Sequence, residues 1–304
     1  EHSFNDAKFL NVLQGSNHTD ADEWYEIMKE YNDPKKHKNF FRGWAMGGAN
    51  MADPHLILKR IVTIIHDGLL EEGKHDWMHF LGMSKMEWSV MLTDIQRAVR
   101  KHHNKNFTIS FDAASPYLSA INACMFRNTQ FPHLGKWTYN ADPGVDGRHY
   151  SNDTRKLRDA ILQDGIFDEF EDTPISERLV MNDICHYAPG DVNKHGKEGV
   201  TAWDTYSYML VMAHNTYGHI NAIQRANRHY DAGEWPEVLV NKFTGETIRH
   251  LIDRVFAEPD YDKRMIMIDD YSKSWMQLPG ARGMGGKKAE RNVARVWNNL
   301  FEDA

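Results

Sequence analysis

Short apolar stretches rich in β-branched and aromatic residues begin near Phe9 (FLNVLQ), Phe41 (FRGWAM), Trp77 (WMHFLG) and Phe107 (FTISFD), at intervals of 32, 36 and 30 residues. Behind each comes a polar or glycine-containing turn, and then apolar residues at helical spacing. Strands alternating with helices at this distance predict βαβ units and a parallel sheet. The helix starts are legible too. Thr19 and Asp20 predict a cap for a helix over 21–30, which Asn32-Asp33-Pro34 stops. Asp53-Pro54 sets an acceptor before a first-turn proline and opens a helix to about Leu70, with Leu58, Ile61, Val62 and Ile65 on one face. Ser84 to Glu87 fits a capping box ahead of the stripe Trp88, Met91, Leu92, Ile95 and Val99. Ser115-Pro116 starts a fourth helix, through about Met125.

Beyond Arg127 the rhythm is lost. Residues 128–153 are rich in Asn, Asp, Gly and Pro and read as a long loop or insertion. Helical spacing resumes at about 154–163, 200–230, 244–257 and 288–301, with no strand to match the first four. Two regions are therefore expected: βα units over 1–127, and a loop followed by a mostly helical region over 128–304.

With 304 residues, 41% apolar and 26% charged, the chain has globular values, which excludes the disordered and fibrous classes. No apolar run approaches the roughly 20 residues that a bilayer span needs. Nothing at the N-terminus resembles a signal peptide, and with Glu1 rather than Met in first place the natural start is expected upstream. Cys124 and Cys185 cannot make a disulfide framework, so a reducing, cytoplasmic compartment is the simplest expectation. The net charge of -7 argues against strong non-specific binding of nucleic acid but leaves room for a local basic groove.

Ligands of parallel α/β folds gather at the carboxyl ends of strands. Here those ends are Gln14-Gly15, Gly47-Gly48-Ala49-Asn50, Leu81-Gly82-Met83 and Asp112-Ala113-Ala114-Ser115. Glycine lets a flat ligand approach the backbone, and Asp112 offers a carboxylate directly after an apolar strand. A planar heterocycle on backbone amides and Gln14, with Asp112 beneath it, is the functional picture; the plainer one is tight turns and a helix cap. Asp112 suits a nucleophile, a general base or a metal ligand. Among 17 histidines, His102-His103 suits the end of its helix. A later cluster, Asp183, Cys185, His186, His195, His214 and His219, holds zinc-ligand types without the usual CxxC pairs. Taken alone, those residues are better explained by a buried free cysteine and satisfied core histidines. Gly280 to Lys288 (GARGMGGKK) lacks phosphate-loop spacing and reads as a flexible basic loop.

The segments VLQG (Val12 to Gly15), GWAMGGANMADP (Gly43 to Pro54), HFLGM (His79 to Met83) and SFDAASP (Ser110 to Pro116) occur in the order and spacing seen in the guanine transglycosylases, which the chain resembles. The likeness covers about residues 9–116, and 180–225 more loosely. It implies a (β/α)8 barrel of TIM type, of which this chain matches about the C-terminal half, plus a mostly helical C-terminal region. It implies exchange of guanine in a nucleic acid for a 7-deazaguanine, with no organic cofactor. Asp112 matches the nucleophile that attacks C1′ and holds a covalent sugar intermediate. Gln14, Gly47 and Gly48 match positions that hydrogen-bond the base, Leu81 and Gly82 a turn that packs on its face, and Asp53 a glutamate close by. Cys185 and His214 fall on a structural zinc motif, of which only one of three cysteines is present. The tRNA-type segment after the aspartate is replaced by AASPYLSAINACMF, so DNA is the expected partner ahead of tRNA. The first strand resembles the fifth of eight, so the rest of the barrel is expected upstream, in a second chain or in a homodimer. Two other functions remain open from the residues: a non-catalytic partner subunit on the same scaffold, and a metal-dependent hydrolase built on the histidine cluster.

Overall fold

The computed structural model describes residues 7–143, 150, 152–184 and 205–283. Four short strands, β1 (Asn11–Leu13), β2 (Gly43–Met46), β3 (Trp77–Phe80) and β4 (Thr108–Phe111), lie within the four expected stretches. Three helices, α1 (His18–Met28), α2 (Pro54–His66) and α3 (Met86–His102), alternate with them. The strands make one parallel sheet in the order β1-β2-β3-β4. Crossovers between neighbouring parallel strands are right-handed as a rule, and in the order β1-β2-β3-β4 that rule puts α1, α2 and α3 on a single face. Trp44, Met46, Met78 and Phe80 are buried, as are Ile57, Leu58 and Ile61 of α2 and Val90, Met91 and Ile95 of α3.

The caps differ in part from expectation. Asn17, rather than Thr19 or Asp20, caps α1: its extended backbone lets Oδ1 accept from the Asp20 N–H at 2.9 Å. Asp53 caps α2 as expected, Oδ1 accepting from the Leu56 N–H at 3.1 Å. The helix stops at His66, well short of Leu70, in a turn through Gly68. No capping box forms at α3. Its first turn follows Lys85, and Glu87 is buried. As expected, the pair closes α3: His102 is its last residue and His103 its C-cap, whose N–H donates to the Val99 carbonyl at 2.9 Å. Both side chains also reach a later helix, His102 facing Asp253 at 2.8 Å and His103 donating to the Phe256 carbonyl at 2.8 Å.

After Asp112 come α4 (Ser115–Ile121), β5 (Cys124–Gln130), β6 (Thr138–Pro143), α5 (Leu157–Gln163) and α6 (Thr205–Asp231). Within the expected loop over 128–153, residues 128–143 belong instead to an antiparallel hairpin, β5 with β6. Polar cross-strand contacts, such as Asn140 Nδ2 to Asn128 Oδ1 at 2.7 Å, and a register break between Phe126 and Asn128, erase the alternation that would have announced it. α7 (Ile248–Ala257), α8 (Tyr261–Asp270) and α9 (Ser272–Trp275) follow, the last two unexpected. The helix expected over 288–301, and Lys287 and Lys288 of the basic loop, lie outside the described residues.

Two compact units result, both of mixed α/β character. Described residues up to Asp112, with those from Trp235 on, form one; those from Ala113 to Glu234 form the other. The division thus falls after Asp112 rather than Arg127, and the last helices return to the first unit. There α7 packs along α3 and α8 along α2. Arg249 Nε pairs with the buried Asp94 at 2.9 Å to tie α7 to α3. In the second unit Met125, Leu157, Ile161, Phe170, Met181 and Val211 make the core. Among the described residues, no helix is long and apolar enough to cross a membrane.

Candidate functional site

The sheet register aligns Val12, Ala45, His79 and Ser110 in one row, and Leu13, Met46, Phe80 and Phe111 in the next. The ladder then continues one residue past the strands. Gly47 N–H donates to the Leu13 carbonyl at 3.1 Å, Leu81 N–H to that of Met46 at 3.1 Å and Asp112 N–H to that of Phe80 at 3.4 Å. Side chains alternate along a strand, so Gln14, Gly47, Leu81 and Asp112 form a further row on the same face as His79 and Ser110. Four of the residues expected at the site thus stand side by side at the carboxyl edge of the sheet.

The Gln14 carboxamide lies over the paired glycines. A Cβ on Gly47 would come within 2.8 Å of Gln14 Nε2, and one on Gly48 within 2.6 Å of its Oε1. The same point on Gly47 is 3.2 Å from Leu81 Cδ1. Gly48 has φ +60, a left-handed conformation that a side chain would strain. Glycine here therefore serves both the turn and the close approach of Gln14. Leu81 adds an apolar group that remains exposed.

Asp112 emerges at the end of the row with its side chain 63% exposed. Its Oδ1 accepts from the Gly82 N–H at 2.7 Å; Gly82, at φ +76, turns the backbone to make that donor available. No hydrogen bond to Oδ2 arises among the described residues, and that oxygen is open to a ligand. Asp53 is placed differently. It is buried, with Oδ1 spent on the α2 cap and Oδ2 facing His18 Nε2 at 3.0 Å.

Three polar residues that the sequence did not mark as site residues lie below that row, His79 and Ser110 paired in the row beneath it and Trp77 one pleat further down. Trp77 Nε1–H donates to Ser110 Oγ at 2.6 Å, His79 Nδ1 lies 2.8 Å from the same oxygen, and His79 Nε2 lies 3.6 Å from Asp112 Oδ1. Ser110 and Asp112, two apart on a strand, share a face by period alone. Only the strand pairing brings His79 beside them. Asn50, within the glycine turn, is also buried; its Nδ2 donates to the Leu13 carbonyl at 3.1 Å while its Oδ1 is without a partner.

The zinc expectation fares differently. His214 is buried between Phe126 and Phe170, with Nδ1 2.8 Å from Thr173 Oγ1 and Nε2 2.9 Å from the Phe126 carbonyl. A carbonyl only accepts, so Nε2 carries the hydrogen and Nδ1 takes the threonine hydroxyl. Burial holds the imidazole neutral and lowers its pKa to about 4, the Phe126 carbonyl opposing only in part. Both nitrogens are engaged, and His214 does not fit a metal ligand as it stands. Cys185, His186 and His195 lie outside the described residues. Among the described residues, no three His, Cys, Asp or Glu side chains gather as a metal ion would need. His219 packs edge-on against Tyr139, and neither ring nitrogen has a hydrogen-bond partner.

No family model, no curated protein and no solved structure matches the chain.

Proposed function

We propose that this chain carries the base-exchange chemistry of a guanine transglycosylase, with Asp112 as nucleophile and DNA as the favoured substrate ahead of tRNA. One observation carries it: Gln14, Gly47, Leu81 and Asp112 form a single row past the ends of four parallel strands, and its carboxylate is 63% exposed. A planar purine suits that row. The Gln14 carboxamide both donates and accepts along its edge, the paired glycines leave room for its plane, and Leu81 packs on its face.

Asp112 forms a bond to C1′ of the target nucleotide as the C1′–N9 bond of guanine breaks. Guanine leaves with the bonding pair and takes a proton from water. The incoming 7-deazaguanine then displaces the carboxylate from C1′ and gives up its own proton to water. Two displacements at one anomeric carbon are the logic of retaining glycosidases. The sheet order and the single helical face suit half of a (β/α)8 barrel, with the other half supplied by another segment or chain. Zinc has no part in this proposal.

A second reading, a non-catalytic partner subunit, draws support from the first edge of the sheet. Phe9 and Val12 of the β1 segment and Trp24 and Ile27 of α1 are exposed apolar residues that a neighbouring chain would cover. The two readings part at Asp112. Nucleic acid from cells expressing the full protein, digested and analysed by mass spectrometry, is expected to contain deazaguanosine in its DNA. Asp112→Asn should abolish that signal. Modification undiminished by the substitution would leave only the subunit reading.

A further inference from the structure

We propose that His79 is a positioning residue for Asp112, holding Oδ1 together with the Gly82 N–H so that Oδ2 alone is presented for attack. This rests on the base-exchange reading for its consequence, though not for its geometry. Trp77 Nε1 can only donate, so Ser110 Oγ accepts from it at 2.6 Å. The Ser110 hydrogen is then free to point along the 2.8 Å contact to His79 Nδ1. That leaves the imidazole hydrogen on Nε2, 3.6 Å from Asp112 Oδ1. Trp77, Ser110 and His79 thus form a directed chain ending at the carboxylate. All its members lie on one face of β3 and β4, where the strand register leaves little freedom.

The two oxygens of Asp112 are consequently unequal. Oδ1 accepts from Gly82 at 2.7 Å and is approached by His79, while Oδ2 faces outward. Bond formation from Oδ2 to C1′ turns Oδ1 into an ester carbonyl that still accepts from the Gly82 N–H, with His79 Nε2 close enough to move in as a second donor. When the deazapurine displaces the ester, the same donors receive the returning carboxylate charge. A contact of 3.6 Å in the free protein is one that a bound substrate can shorten.

Two measurements test this separately from the base-exchange reading. Nitrogen chemical shifts of His79 are expected to report hydrogen on Nε2, and Ser110→Ala should shift the population toward Nδ1. A His79 that carries its hydrogen on Nδ1 in the unaltered protein would overturn the positioning role whether or not the protein is an enzyme. In exchange assays, His79→Ala should lower kcat by about 10- to 100-fold, the factor that follows from losing a hydrogen bond to a charged group. KM should hardly move, because the base-contacting row is untouched. His79→Gln, which keeps an N–H donor, should recover most of the loss. Full kcat in His79→Ala, with Asp112→Asn inactive, would refute the positioning role alone. Absence of exchange in the unaltered protein would refute the base-exchange reading while leaving the chemical-shift test intact.

Discussion

The strand-end row of the first unit and the hairpin core of the second are built from similar side chains and treat them in opposite ways. In the second unit Asn215 is fully buried, its Oδ1 accepting from the Phe126 N–H at 2.7 Å and its Nδ2 donating to the Pro116 and Cys124 carbonyls at 3.1 and 3.0 Å. His214 beside it is equally saturated. Buried polar groups without partners are costly, and the hydrogen bonds of Asn215 hold α4, β5 and α6 together. In the first unit Asp112 has one oxygen held and one open. The carboxamide of Gln14 lies over a glycine floor instead of closing a helix. Residue type does not separate a structural polar group from a reactive one; saturation and burial do.

The largest expected effect sharpens that contrast at its exposed end. Asp112→Asn should lower exchange by about 10³- to 10⁴-fold, on the order of what deleting a nucleophile costs. Its unfolding midpoint in urea should hardly move, since the side chain is exposed. A large loss of stability would instead make Asp112 a structural cap. The buried end should behave in reverse. Asn215→Ala removes three hydrogen bonds and leaves buried carbonyls unpaired, so a loss of about 3 kcal/mol is expected in denaturant unfolding. A loss under about 0.5 kcal/mol would show that those bonds contribute little.

His214 adds a pH dependence of comparable size. Its pKa is about 4 when folded against 6.5 for the free group, so the unfolded chain binds the proton first. Stability attributable to it is complete above about pH 6.5 and is lost as pH falls toward 4, by about 3 kcal/mol in all. Urea midpoints across pH 4–7 should show the slope, and His214→Asn should flatten it. A slope that survives this substitution would assign the proton to another group, such as His103, which burial and the nearby Arg264 also hold at a pKa of about 4. Smaller effects are expected at the glycine floor. A methyl on Gly47 meets only the mobile end of Gln14 and of Leu81, so Gly47→Ala should raise KM by roughly tenfold with stability kept, as expected for a disturbed binding contact. Gly82→Ala meets no atom within 4 Å, but its left-handed backbone should cost about 1 kcal/mol.

The parallel sheet was legible because each strand is a short apolar run, and each crossover helix has its own stripe and stop. The pairing of Asp53 with Pro54 announced α2 correctly because a cap is a local interaction. The cap of α1, which depends on one backbone angle, falls at Asn17, two to three residues before the expected Thr19 and Asp20. The hairpin was invisible because its strands pair Asn with Asn and Thr with Tyr, which mimics loop composition. The helix over 261–270 was missed for a related reason: two buried residues, Arg264 and Ile268, are too few for a stripe.

For the candidate site, the sequence by itself determined which residues end each strand, and so brought Gln14, Gly47, Leu81 and Asp112 into consideration. What only the tertiary structure decided was neighbourhood: that His79 stands between Ala45 and Ser110, that Asp53 faces His18 rather than the row, and that His214 is saturated. Local patterns report the direction in which a side chain leaves its own strand or helix. Which atoms it meets depends on the register between elements distant in sequence, and no local pattern encodes that register.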